Sequence, residues 1–193
     1  MVKAAMRCAK IKNLGSLTNV ERHGRRQDES SKRRADFSKS GNNLAWSSVD
    51  DPLAVVDAFK ARKKETGAKE YGGACIALHT VCIISPSWIA ETGDIHDPKN
   101  PRNIQMFQEA RAWADATYGE GSCISARMDL DEKGGGVVDL VIVMAGGLRV
   151  GRGPLRGYDA GKEIAWITTG FLIIIGYSLQ LDDRVISLLT QLF

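Results

Sequence analysis

At 193 residues the chain is long enough for one domain with a proper core and too short for two comfortable ones. An apolar share of 44% and a charged share of 25% are ordinary for a soluble globular protein. The net charge is +3 but unevenly spread: Met1 to Gly41 carries 11 Lys/Arg against 4 Asp/Glu, a net of +7, so the remainder nets −4. A basic amino-terminal lobe on a mildly acidic body suits either a polyanion-binding face or a solvated basic arm. Cys8, Cys75, Cys82 and Cys123 lie scattered without a Cys-x-x-Cys pair, which argues against a zinc knuckle or a disulfide scaffold and for buried free thiols. The amino terminus has no apolar signal core, so a cytoplasmic protein is expected.

Residues 6–12, MRCAKIK, alternate roughly apolar and basic, as a half-exposed strand would. NLGSL then turns the chain at Gly15. The polar, Arg-rich stretch from Thr18 to about Lys39 has little apolar periodicity and predicts a short helix running into a loop that orders on a ligand. In residues 47–64, Ser48, Asp50 or Asp51 can cap a helix, Pro52 sits at an early helical position, and basic residues close the end. The apolar run at 72–86, bounded by Gly-Gly and Pro, reads as a central strand buried on both faces. Residues 100–121 give the clearest helix: Ile104, Phe107, Ala110, Trp113, Ala114 and Thr117 share one face, and Gly119 ends it. Two strands follow, joined by a turn of three glycines at 134–136. The expected fold is α+β, an antiparallel sheet (strands near 6–12, 74–84, 122–131 and 137–144) with helices packed on it, Phe107 and Trp113 facing the sheet.

After Met144 the character changes. A Gly-rich, basic stretch leads to the nearly continuous apolar run from Ile164 to Leu181, whose 18 residues are at the lower limit for a membrane span. Thr168, Thr169, Ser178 and Gln180 favour a buried helix or strand pair, and membrane association stays open. The expected division is a body at 1–145 and an atypical tail at 146–193.

Three histidines are present. His79 lies inside the apolar strand and is expected to be a hydrogen-bonded core residue, and His96 a solvent-facing residue of a polar loop. His23 sits in VERHGRR, where Arg22, Arg25 and Arg26 would lower its pKa, keep it neutral and nucleophilic, and clamp a phosphate beside it. The alternative is a histidine in an exposed basic helix. Asp129, Asp131, Glu132 and Asp139 crowd round the glycine turn, either to hold a metal or to keep the turn in water.

The stretch MRCAKIKNLGSLTNVERHGRR resembles the start of plasmid mobilization relaxases of the Mob/Pre (plasmid recombination enzyme) family, which open with a basic strand, an Asn-Leu-Gly turn, and a His followed three residues later by Arg. Here the pattern falls on Asn13, Leu14, Gly15, His23 and Arg26, with a longer gap from turn to His. A buried strand ending in SPSW, a helix closing on YG and a hairpin carrying DLDE follow in the family's order, so the resemblance spans about Met6 to Val143. It implies a HUH-like sandwich that nicks and joins single-stranded DNA at a plasmid origin. His23 would be the nucleophile joined to the 5′ phosphate, Arg26 its basic partner, and a divalent metal would polarise the scissile phosphate. The family's metal pattern, H-x-D-E-x-x-P-H-x-H, puts Asp129, Gly136 and Val138 at its three histidines, while Asp131 and Glu132 keep the internal acidic pair. A site of Asp129, Asp131, Glu132 and perhaps Asp139 is oxygen-only and suits Mg²⁺ or Mn²⁺. It is either a substituted metal site or the remnant of a lost one.

DNA contacts are expected from Lys10, Lys12, Arg22, Arg25, Arg33 and Arg34, with no small-molecule cofactor. Two readings remain: a metal-dependent DNA strand transferase, or a catalytically inactive relaxase-like DNA-binding module. The apolar ending in place of the family's long helical region is what a truncated or frame-shifted copy would show.

Overall fold

The computed structural model describes residues 4–69 and 75–143. The Gly-rich stretch, the apolar run Ile164 to Leu181 and the proposed tail at 146–193 lie outside the described residues. Among the described residues no helix is long and apolar enough to cross a membrane.

Strand β1 (Ala4–Ile11) runs into helix α1 (Leu14–Gly24). The Asn13 side chain accepts a hydrogen bond from the Ser16 amide at 2.8 Å, so NLGSL opens a helix instead of turning the chain. Leu17 is the one fully buried residue of α1, which is why apolar spacing does not reveal this helix. Its far end closes as a Schellman turn: the Arg26 amide donates to the His23 carbonyl at 3.0 Å and the Gln27 amide to the Arg22 carbonyl at 2.8 Å. The residue this turn holds in the left-handed region is normally glycine; here it is Arg26, at φ +57°.

Helix α2 (Glu29–Arg34) follows, capped by Asp28, which accepts from the Ser30 and Ser31 amides at 2.9 and 3.0 Å. The Arg-rich stretch is therefore two helices and a 3₁₀ turn, not a short helix running into a loop. A 3₁₀ turn (Phe37–Asn42) leads to strand β2 (Leu44–Ser47), too short to register as an alternating pattern. Helix α3 (Val55–Thr66) starts later than its capping residues predict. Asp51 accepts instead from the Leu53 amide at 2.9 Å, which leaves Pro52 in a turn ahead of the helix.

Strand β3 (Ala77–Ile84), short helix α4 (Pro86–Ala90), long helix α5 (Pro101–Tyr118) and the hairpin strands β4 (Cys123–Met128) and β5 (Val137–Ile142) complete the order. The sheet runs β1-β3-β5-β4-β2 with every pairing antiparallel. This is the α+β sheet that the sequence predicts, with β2 added at one edge.

Pleating divides the strand side chains between two faces. One face carries Cys82, Ile84, Ala126, Met128, Val138, Leu140 and Ile142, all buried, and α5 packs against β4 and β5. Trp113 is 2% exposed, as expected, and its burial contributes on the order of 2–3 kcal/mol. The buried stripe of α5 nevertheless runs through Asn103 and Met106, while Ile104 is exposed and Phe107 half-buried near the Arg111 guanidinium. Asn103 earns its place inside because its amide donates to the Ile95 and Asp97 carbonyls at 3.0 and 2.9 Å.

The second face is apolar at one end, where Leu17, Val55, Ala58 and Phe59 of α1 and α3 meet Ala77 and Val141. Further along, the same face carries the pair Arg127 and Asp139, with His79 opposite Val141 at the boundary. Strand β3 is buried at Thr80, Cys82 and Ile84 on one face but half-buried at His79, Val81 and Ile83 on the other, not buried on both.

Candidate active site

The acidic segment after β4 is not a solvated hairpin tip. Asp129 is 5% and Asp131 2% exposed. The Asn43 side chain accepts from the Leu130 and Asp131 amides at 2.8 and 3.0 Å, the Asp36 amide donates to the Asp131 carbonyl at 2.8 Å, and His96 Nδ1 donates to the Leu130 carbonyl at 2.7 Å. His96 is thus a half-buried tether, not a solvent-facing loop residue. These bonds hold the backbone so that Asp129 and Asp131 point inward beneath the end of α1.

Arg26 descends into this group from the Schellman turn. Its Nε donates to Asp131 Oδ2 at 3.1 Å, its second terminal nitrogen also reaches Asp131 Oδ1, and Nη1 donates to Asp129 Oδ2 at 3.2 Å and Glu132 Oε1 at 3.4 Å. Burial alone would push the Asp131 carboxyl up, but Arg26, Ser40 and Asn43 outweigh it and hold it below the ordinary range. With Arg26 on one side and the Ser40 hydroxyl at 2.7 Å on the other, Asp131 is consumed by the protein.

His23 sits one helical turn above. Nδ1 lies 3.0 Å from Asp28 Oδ2 and Nε2 lies 4.0 Å from Glu132 Oε1. The imidazole therefore stands between two carboxylates, not among guanidiniums as its sequence neighbours imply. Hydrogen bonds from the Ser31 hydroxyl and amide, and then the His23 contact, keep Asp28 strongly below the ordinary carboxylate range, hence ionised. Nothing in the spacing of the sequence singles out Asp28 as a partner of His23. His23 and the hairpin do meet, but not through adjacent strands: β3 separates β1 from β5, and it is α1, folded over the sheet, that brings them together.

Beside this group Arg127 Nε lies 2.8 Å from Asp129 Oδ1, and its Nη2 3.4 Å from Asp139 Oδ2. Asp139 Oδ1 is 2.8 Å from His79 Nε2, so His79 is a hydrogen-bonded residue at the edge of the site. Burial pushes Asp139 up, but His79 and Arg127 prevail and hold it low. The sequence does not mark Arg127 as part of the site. One signal could have found it, since Arg127 and Asp139 are directly opposite in the β4–β5 register. A Cβ on Gly24 would overlap the tip of the Arg127 guanidinium, so any larger residue there would make Arg127 shift.

No protein-family model matches the chain, and none of the curated proteins compared with it matches. Among solved structures the comparison is positive. Three structures of the MobM relaxase domain (MOBV; Mob_Pre), Mn-bound and in complex with plasmid pMV158 oriT DNA at pH 6.8, 4.6 and 5.5, superpose with TM-scores of 0.57, 0.56 and 0.58. They are 20%, 19% and 17% identical to this chain, and each match covers 72% of this chain and 69% of the other. The fold is that of the MobM relaxase domain. At the level of the fold, the resemblance to Mob/Pre relaxases read from the sequence is borne out.

Two positions that the sequence resemblance aligned with histidines can supply no ligand. Gly136 has φ +64°, and a Cβ there would lie 2.5 Å from the Ile84 carbonyl oxygen, so no side chain fits. Val138 is fully buried opposite Cys82 and Met128, on the sheet face away from His23. Asp139, one residue on, takes the face that Asp129 and Arg127 share.

The remaining donors still fit a cation. Atoms of His23, Asp129 and Glu132 lie within 4.8 Å of one another, while Asp131 and Asp139 fall outside this group. The four carboxylates contact two guanidiniums, Arg26 and Arg127, leaving two negative charges in excess. Burial, followed by the charge of Asp129, pushes Glu132 above the ordinary range despite Arg26 and His23. Asp129 Oδ1 is buried with two guanidiniums in ionic range, at 2.9 and 2.8 Å, but without an aligned hydrogen-bond donor. Asp129 and Glu132 are oxygen donors of the kind a hard divalent ion takes, within 4.8 Å of the His23 imidazole.

The six basic residues expected to meet DNA differ in how free they are. Arg25 is tied to Glu21 at 3.2 Å and Asp51 at 2.5 Å, and Arg33 Nε donates to the Glu29 carbonyl at 3.2 Å. Lys10 and Lys12 are exposed where β1 ends, Arg34 is exposed at the end of α2, and Arg22 is exposed on α1 beside His23.

Proposed function

We propose that the protein binds single-stranded DNA and transfers a strand through His23, in the manner of a plasmid mobilization relaxase. One observation carries this reading: on a relaxase fold, an imidazole whose Nδ1 is held by an ionised aspartate directs Nε2 toward a carboxylate group with charge in excess. If Nδ1–H donates to Asp28, the Nε2 lone pair is free to attack. Attack on the scissile phosphorus would form a P–N bond and break the P–O3′ bond, and the departing 3′ oxygen would take up a proton. Joining runs the same steps in reverse. Asp129 and Glu132 are the residues that would hold a divalent ion, Mg²⁺ or Mn²⁺, which when bound would neutralise charge on the phosphate oxygens. The neighbouring MobM structures contain manganese and origin DNA, which supports both partners for this chain.

Gly136 and Val138, which supply no ligand, favour a second reading: a module that holds DNA without cutting it. Incubation with supercoiled plasmid and single-stranded oligonucleotides plus Mn²⁺ separates the two. Strand transfer predicts an adduct that survives denaturant and alkali, is lost in mild acid as a phosphoramidate is, and disappears in His23→Ala. DNA binding with no adduct in the wild-type chain would leave only the second reading.

A further inference from the structure

We propose that the cleft on the Asp28 side of His23 is a nucleobase subsite, which reads one unpaired base next to the reacting phosphate; this rests on the strand-transfer reading above. The cleft has a volume of about 320 Å³ and is lined by Asn19, Arg22, His23, Gln27, Asp28 and Glu29. That is the lower end of the range for small-ligand sites, enough for one base and not for a duplex.

What distinguishes these walls is which side chains the protein itself leaves unused. The side chains of Asn19, Arg22 and Gln27 have no hydrogen-bond or ion-pair partner among the described residues. Their neighbours are all engaged: Arg25 with Glu21 and Asp51, Arg26 with three carboxylates, Asp28 with His23 and Ser31, and Glu29 with Lys32 at 3.0 Å. Local structure explains why the free ones converge. Asn19 and His23 are four residues apart and share one face of α1, and the Schellman turn brings Gln27 back beside Arg22 through the bond between their backbones.

The chemistry of the lining points to a base. Two primary amides offer donors and acceptors of the kind that match base edges. Arg22 provides a planar cation able to meet a phosphate oxygen or stack on a base. The carboxylates of Asp28 and Glu29 disfavour a second phosphate in the same space, so a neutral ring occupies it while the backbone stays at its mouth. The strand must be unpaired, because a cleft of this volume admits a single splayed-out base and not a base pair.

The test is equilibrium binding without added metal. A binder is selected from a randomised single-stranded pool with the wild-type chain, and each of its positions is then scanned through all four bases. The wild type should prefer one base by about tenfold at one position, and Asn19→Ala with Gln27→Ala should reduce that to about twofold while leaving other positions unchanged. Arg22→Ala should weaken every sequence alike and shallow the salt dependence by about one phosphate contact. All three side chains are exposed, and far-UV circular dichroism confirms that the variants fold. A preference retained in the double variant, loss spread evenly over all positions, or no preference in the wild type would each overturn the subsite. Base reading without a covalent adduct under Mn²⁺ would sink strand transfer alone.

Discussion

Removing the Arg26 guanidinium should destabilise the protein more than most single changes, and two replacements separate the reasons. Arg26→Ala strands Asp131, whose side chain is fully buried, and unbalances Asp129. Leaving a buried charge without its partner costs about 3–5 kcal/mol, a large share of a typical domain stability of roughly 5–15 kcal/mol. Arg26→Gly loses the same contacts but relieves the left-handed backbone at φ +57°, where a Cβ costs about 1–2 kcal/mol. Glycine should therefore be more stable than alanine here by about 1 kcal/mol, the reverse of their order inside a helix. Urea unfolding followed by tryptophan fluorescence measures both. The pH dependence has a definite sign. In the wild type Asp131 is held low, so its stabilisation is present above its unfolded value of about 3.9 and is lost as pH falls through the lower folded value. Without Arg26, burial wins and the folded value rises, so the deficit should be largest at neutral pH and shrink as pH falls toward that value. An alanine variant within about 1 kcal/mol of wild type, a deficit that does not shrink, or glycine no better than alanine would refute this account.

Three further outcomes follow from the same geometry. Gly136→His should not create a metal ligand, and should lower stability by at least the 1–2 kcal/mol or so of a left-handed non-glycine residue, read as a drop in melting temperature with no gain in Mn²⁺ affinity. Asp28→Asn should slow adduct formation at saturating single-stranded DNA by roughly 10–100-fold, since it removes the charge that orients His23. Mn²⁺ affinity, measured by calorimetry, should rise with pH through the elevated titration of Glu132, because the carboxyl must lose its proton to bind; a flat profile would exclude Glu132 as a ligand.

The large elements were legible because their signals are local. The buried run of β3, the long α5 with Trp113 and the glycine-linked hairpin were each marked by apolar pattern and turn residues, and the sheet class followed. What the sequence concealed was decided by polar atoms. α1 has one fully buried side chain, so its existence rests on the Asn13 cap and the ion pairs at its far end. The stripe of α5 was misjudged because Asn103 is buried by two backbone carbonyls, which no hydrophobic periodicity registers. The site was half legible: His23, Arg26, Asp129 and Glu132 do converge, but Asp28 and Arg127 were missed because their partners are fixed by a turn and a strand register.

The same two features, a turn and a strand register, decide which hairpin residues can face the site. On a strand, a displacement of one residue exchanges the two faces, so a ligand position at 138 aims into the core while 139 aims at the site. Gly136, confined to φ +64° against the Ile84 carbonyl, holds the hairpin in that register. No side chain can be restored at 136, and a histidine at 138 would be buried opposite Cys82 and Met128. The protein has instead built its charge around carboxylates and two guanidiniums that reach the sheet from opposite directions, Arg26 from the end of α1 and Arg127 from β4. Arg26 and Ser40 satisfy Asp131, His79 and Arg127 satisfy Asp139, and the two guanidiniums share Asp129, while Glu132 has only the longer Arg26 contact at 3.4 Å. Glu132 lies on the side facing His23, where a phosphate and its counter-ion would have to sit.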